Sequence, residues 1–92
     1  MPPNRARGEI SARLGGRSLR LCVTLRGLAA LEGHFGVSGF DALAERLKRP
    51  GAGDVMAMLD ALCLDEIDVA RLDIGLKDAI GAVVAAFEAM HD

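Results

Sequence analysis

From Gly8 to Leu14 apolar and polar residues alternate: Ile10, Ala12 and Leu14 share one parity, Glu9, Ser11 and Arg13 the other. Gly15-Gly16 follows, a pair that can take the two positive φ angles of a tight hairpin turn. Beyond it Leu19, Leu21 and Val23 continue with a period of two. A two-residue turn places Leu14 opposite Arg17, Ala12 opposite Leu19 and Ile10 opposite Leu21. That register gathers every strand hydrophobic except Cys22 on one face, so turn chemistry and burial pattern agree. The prediction is an antiparallel hairpin over residues 8–23, after a loose tail at 1–7.

The period then changes to that of a helix. Thr24 is placed to accept from free N–H groups of a first turn, Leu28, Leu31 and Phe35 form one stripe, and Gly36 suits a left-handed stop. Such a helix, Leu25 to His34, is the nearest cover for the apolar face of a hairpin that is marginal alone. Gly33 should weaken its end. Ser38 with Asp41 three residues on reads as the start of a second helix through Lys48, with Leu43 and Leu47 inward. Pro50-Gly51-Ala52-Gly53 breaks the chain. A third helix is expected from Gly53 or Asp54 to Leu64, burying Val55, Met56, Leu59, Leu62 and Cys63. Asp65 should cap a short acidic helix containing Glu66, Ile67 and Val69. Asp73 should cap the last and longest, Ile74 to Met90, with Leu76, Ile80, Val83, Phe87 and Met90 as its core stripe. Beside that stripe runs a ridge of small residues, Gly75, Ala82, Ala86 and Ala89, expected to admit a helix closely, either from a partner or from within the monomer.

The expected fold is therefore α+β, a single domain over residues 1–92: an N-terminal two-stranded antiparallel hairpin followed by four to five packed helices. Composition supports a folded core. Of the 92 residues 51% are hydrophobic, but the aromatics are only Phe35, Phe40 and Phe87. Leu, Ala, Val and Met must fill the interior, which leaves little room for a large enclosed ligand pocket. Two scattered cysteines, no run resembling a signal peptide and no uncharged stretch long enough for a membrane span point to the reducing cytoplasm.

Charge is divided along the chain. Residues 1–50 carry nine Arg or Lys against four acids, whereas residues 51–92 carry two against nine. Such a split suggests a nucleic-acid surface, head-to-tail contacts, or simply an internally balanced surface.

Several motifs carry a family resemblance. Asn4-Arg-x-Arg-Gly-Glu9, the Gly-Gly hairpin, Leu28-x-x-Leu-Glu-x-x-Phe-Gly36 and Ala42-Leu-Ala-Glu-Arg46 occur in that order. Together they resemble the small tail-assembly proteins encoded by gene transfer agents and related tailed phages. The resemblance runs from Asn4 to about Lys48, with only a pattern of helices beyond. It implies tail morphogenesis, as a chaperone for the long tape-measure protein. A structural tail-tube component is the rival within the same resemblance, although tube subunits are known as β-sandwiches and only two strands are convincing here.

Candidate chemistry is sparse. Cys22, Cys63, His34 and His91 fall on different elements without the close paired spacing of zinc ligands, so no metal or other cofactor is expected. A nucleophilic set of Cys22, His34 and Asp41 lacks anything local to activate the thiol. Asp65, Glu66 and Asp68 lack the glycine and terminal Glu of a calcium loop. Six arginines within the first 26 residues (Arg5, Arg7, Arg13, Arg17, Arg20, Arg26) could track phosphates. No aromatic lies among them to stack bases, and charged hairpins commonly guard a sheet edge. The sequence thus argues for a non-enzymatic protein, and the resemblance implies that it binds a tail protein, the tape-measure protein first, with homo-oligomers possible and a nucleic-acid-binding regulator as the alternative from another class.

Overall fold

The computed structural model describes residues 8–90; the expected tail at 1–7, with Arg5 and Arg7, and the terminal His91 lie outside them. Two strands, β1 (Ile10–Leu14) and β2 (Arg17–Leu21), lead into α1 (Leu25–Phe35), α2 (Phe40–Leu47), α3 (Ala52–Leu62) and α4 (Leu76–Ala89). A single 3-10 turn, Val69–Arg71, stands where the short acidic helix was expected. The fold is α+β, a hairpin followed by four α-helices.

The hairpin has the register that its turn dictates: Ile10 pairs with Leu21, Ala12 with Leu19 and Leu14 with Arg17. Gly15 and Gly16 take φ of 57° and 79°, positive angles that a side chain would strain. Leu14, Leu19 and Leu21 are buried, with Ile10 and Ala12 partly so. Two residues expected outside are in fact inside: Glu9, just ahead of β1, and Cys22, just past β2, are each under 5% exposed.

Cys22 is covered because β2 gains a second neighbour. Leu21 and Cys63 form an antiparallel bridge. Cys22 N–H donates to the Leu62 carbonyl and Leu64 N–H to that of Arg20, both at 2.9 Å. The chain leaving α3 thus extends the sheet, so α3 ends at Leu62 rather than Leu64, and the hairpin's second edge is partly closed. Asp65 is recruited to the same place. One of its carboxylate oxygens accepts from Arg20 N–H at 2.9 Å and the other from the Arg20 guanidinium at 3.1–3.2 Å. It holds the strand rather than capping a helix.

Thr24 caps α1 by accepting from Gly27 N–H at 3.0 Å, and Gly36 ends the helix at φ 66°. The face of α1 that meets α3 is set by Gly27, where a Cβ would stand 2.7 Å from the Ala61 carbonyl oxygen. Only glycine permits that approach. α2 starts one residue later than expected, with Gly39 rather than Ser38 as cap residue. The Glu32 carboxylate reaches across from α1 and accepts from Gly39 N–H at 2.6 Å, so a neighbouring helix supplies an acceptor at the start of α2, where the Ser38 hydroxyl was expected to serve. Arg46 ties the same two helices, donating to the Phe35 carbonyl at 3.3 Å with its guanidinium 5.2 Å from the Phe35 ring centre. α3 begins at Ala52, where the Asp54 carboxylate accepts from Gly51 N–H at 2.8 Å. It buries Val55, Met58, Leu59 and Leu62, and leaves Met56 exposed in place of Met58.

The largest correction concerns α4. Its buried residues are Ala79, Ala82, Val83 and Ala86. Of the expected core stripe only Val83 is buried, while Phe87 is half-buried and Leu76, Ile80 and Met90 are 60%, 42% and 45% exposed. The cause is the distance at which α4 sits from the hairpin. Small side chains let it lie close against β1 and α3, and a Cβ on Gly8 would come within 3.4 Å of the Ala89 carbonyl oxygen. Larger residues on that face would hold the helix off and open voids beneath it. Asp73 does not cap α4 either; the helix starts at Leu76 behind Gly75 with no side-chain cap.

Candidate functional site

With the small residues turned inward, α4 shows its branched residues to the outside. Ile80, Val84 and Phe87 recur at helical spacing, and Val84 is 48% exposed. They form one wall of a groove of about 590 Å³. α2 supplies the opposite wall through Ala44 and Leu47, with Lys48 just past its end; Val55 and Met58 of α3 lie along the floor, and Pro50, Val83 and Glu88 complete the lining. α2 packs on α1 and α4 on α3, so neither closes the space between them. The lining is apolar apart from Lys48 and Glu88. A smaller depression of about 180 Å³ lies nearer the start of α4, among Met56, Leu72, Ile74 and Leu76.

The expected partner-facing ridge divides. Ala82 and Ala86 lie in the core, Ala89 is half-buried, and Gly75 is exposed ahead of the first turn of α4. Of the groove residues, the sequence pattern places Leu47, Ile80 and Phe87 in the core and does not single out Val84. A signal for them was present in the charges. Lys77 and Glu88 fall within about 40° of Val84 on a helical wheel, which marks that side as the one facing water.

The other candidates do not converge. His34 at the end of α1 bonds Asp54 of α3 at 2.8 Å, not Asp41. Cys22 lies before the start of α1, on the order of 15 Å away along the helix. Burial pushes the Cys63 thiol up, and its Sγ donates to the Asp65 carbonyl at 3.5 Å, so its thiolate is disfavoured. Gly51 N–H first, then His34, holds the Asp54 carboxyl below its ordinary 3.8. Asp65 is lowered in the same way, first by Arg20 N–H and then by the Arg20 guanidinium. Among the described residues no group of three or more His, Cys, Asp and Glu is placed to hold a metal ion. No helix among them is long and apolar enough to cross a membrane.

The basic ribbon is also interrupted. Arg13, Arg17 and Arg26 are exposed, but Arg20 is engaged by Asp65. What remains on the hairpin is a charged surface with its central cation neutralised. Among the described residues the geometry therefore offers an apolar cleft between helices, and the candidate nucleophile and metal ligands there are not brought together.

Comparison with known proteins agrees with a tail role. No curated protein and no solved structure matches the chain. A family described as "Phage tail tube protein, GTA-gp10" matches residues 7–90. That span covers the hairpin, all four helices and the groove between them, and the chain belongs to this family of gene transfer agent and phage tail proteins.

Proposed function

We propose that the protein is a non-catalytic tail-assembly factor that holds a helical segment of another tail protein while the tail is built, the tape-measure protein being the partner of first choice. The observation that carries this reading is the groove between α2, α3 and α4. It is open and apolar along its floor, and its exposed wall bears Ile80, Val84 and Phe87. An amphipathic helix laid there would cover residues that water now meets, which is how helix-in-groove recognition gains its affinity. A long helical partner offers such segments repeatedly.

The family's description favours a second reading, a structural component of the tube itself. The two predict opposite particle compositions. Mass spectrometry of purified particles should find this chain absent or in traces if it assists assembly, and among the abundant tail proteins if it builds the wall. Co-expression with the tape-measure protein of the same gene cluster should yield a complex that Val84→Glu weakens. An abundant chain in finished particles would overturn the assembly-factor reading.

A further inference from the structure

The outer face of α4 carries more than apolar surface. At 100° per residue, Lys77, Ile80, Gly81, Val84, Phe87 and Glu88 all fall within about 60° of Val84. The stripe thus has a cation at one end, an anion at the other and branched residues around a glycine between them. Lys77 and Glu88 are both exposed. The ion pairs among the described residues involve other side chains.

Each of these two charges is placed against its own helix. Lys77 sits in the first turn of α4, where unsatisfied N–H groups make the field positive, and Glu88 sits in the last turn, where carbonyls make it negative. A second α4 lying antiparallel reverses both relations, because it brings its C-terminal end to Lys77 and its N-terminal end to Glu88. One register satisfies everything together. With the twofold axis between Ala82 and Val83, Lys77 meets Glu88 of the other copy and Glu88 meets its Lys77. Gly81 then lies opposite Val84, so a small residue stands against a large one on either side of the axis. A Cβ at Gly81 would touch nothing within 4 Å, so the space in front of it is open to the facing Val84.

We infer that the protein forms a twofold dimer through antiparallel packing of α4 on α4, with paired Lys77–Glu88 contacts at both ends. What covers the outer face of α4 in the absence of another partner is therefore a second copy of this chain. Its helix covers the exposed wall of the groove at Ile80 and Val84, in both copies alike. The inference rests on the α4 surface and not on the tail-assembly reading. It adds one consequence to that reading: a tail-protein helix and the second copy exclude one another.

Charge reversal with rescue tests it. Wild-type protein, run by size exclusion with light scattering from about 1 to 100 micromolar, should approach twice the 9.7 kDa of one chain. Lys77→Glu alone and Glu88→Lys alone each replace two attractive contacts by two repulsive ones and should weaken the dimer about tenfold or more. Both substitutions suit the field of their own helix end, so folding by circular dichroism should be unharmed. The double variant, Lys77→Glu with Glu88→Lys, should recover the dimer. A wild type that stays monomeric throughout the range overturns the inference, as do single variants that dimerise like wild type or a double variant that fails to recover. None of these outcomes bears on particle composition, so the tail role and the dimer stand or fall separately.

Discussion

The hairpin and α4 handle apolar residues in opposite ways. In the hairpin the apolar parity is the buried one, and the largest side chains, Leu14, Leu19 and Leu21, are all inside. In α4 Ala79, Ala82 and Ala86 go inside, and Ile80 and Val84 face out. A strand has only two faces, and here a two-residue turn selects between them, so pattern and register constrain one another. A helix has a continuous choice of face. When three-quarters of its circumference is apolar, the neighbour it must approach decides the rotation. In α4 that neighbour is a sheet at short range, and the small side won.

The comparison can be broken most severely on α4 itself. Ala82→Glu together with Ala86→Glu buries two carboxylates beneath the helix. Each costs several kcal/mol on the scale of buried polar groups, enough to cancel the roughly 5–15 kcal/mol that holds a domain of this size folded. Circular dichroism should show an unfolded chain. Val84→Glu, two residues from either site, should keep the monomer within about 0.5 kcal/mol of wild type when both are compared below the dimerisation range, as exposed substitutions do. A folded double variant would mean that the ridge is not core.

The hairpin side should respond next. Leu19 is fully buried against the helices, and Leu19→Ala should cost about 3 kcal/mol in urea unfolding. In the monomer the same truncation at Ile80 should cost less than half of that, since its surroundings there are half water already. Equal losses at the two sites would show that the groove is closed in solution.

Two glycines of α1 sharpen the point within a single helix. Gly27→Ala forces a methyl against the Ala61 carbonyl oxygen, and overpacking should outweigh the gain in helix propensity to leave a net loss of about 1–2 kcal/mol. Gly33 faces open space, so Gly33→Ala should stabilise by about 0.5–1 kcal/mol. Thermal melts of the two variants should move in opposite directions.

The smallest effect belongs to the strand's ion pair. Asp65 has its carboxyl lowered below 3.8 in the folded protein by Arg20 N–H and guanidinium. A depressed carboxyl contributes stability that is present in full above its unfolded value and is lost as pH falls through the folded one. Asp65→Asn should therefore lower stability at neutral pH and narrow its gap to wild type as acid is added below about pH 4. A gap that stays constant with pH would assign the loss to the amide's hydrogen-bond geometry instead of the charge.

Much of the fold could be read before any coordinates. The hairpin register, the Thr24 cap, the Gly36 stop and the breaker at Pro50-Gly51 all came from residues within a turn of one another. The candidate site was far less legible. Gly75, Ala82, Ala86 and Ala89 were the natural choice for a contact ridge, and two of them line the core. Ile80 and Phe87 looked like core, and they line the groove. Lys77 and Glu88 gave the true orientation, but a weak signal of two charges competes poorly with a long apolar pattern.

Short-range interactions decide where each strand turns, where each helix stops, and which parity of the hairpin is apolar. Those choices depend on φ preferences, caps and alternation, all local to a few residues. The tertiary structure decided everything that needed a distant partner. Asp65 left its expected cap because Arg20, 45 positions earlier, offered it a strand N–H and a guanidinium. Ser38 lost its place at the start of α2 because Glu32 reached Gly39 from the neighbouring helix. The rotation of α4 was set by how closely its backbone had to approach the hairpin, a distance that is a property of the packed pair and of neither segment alone.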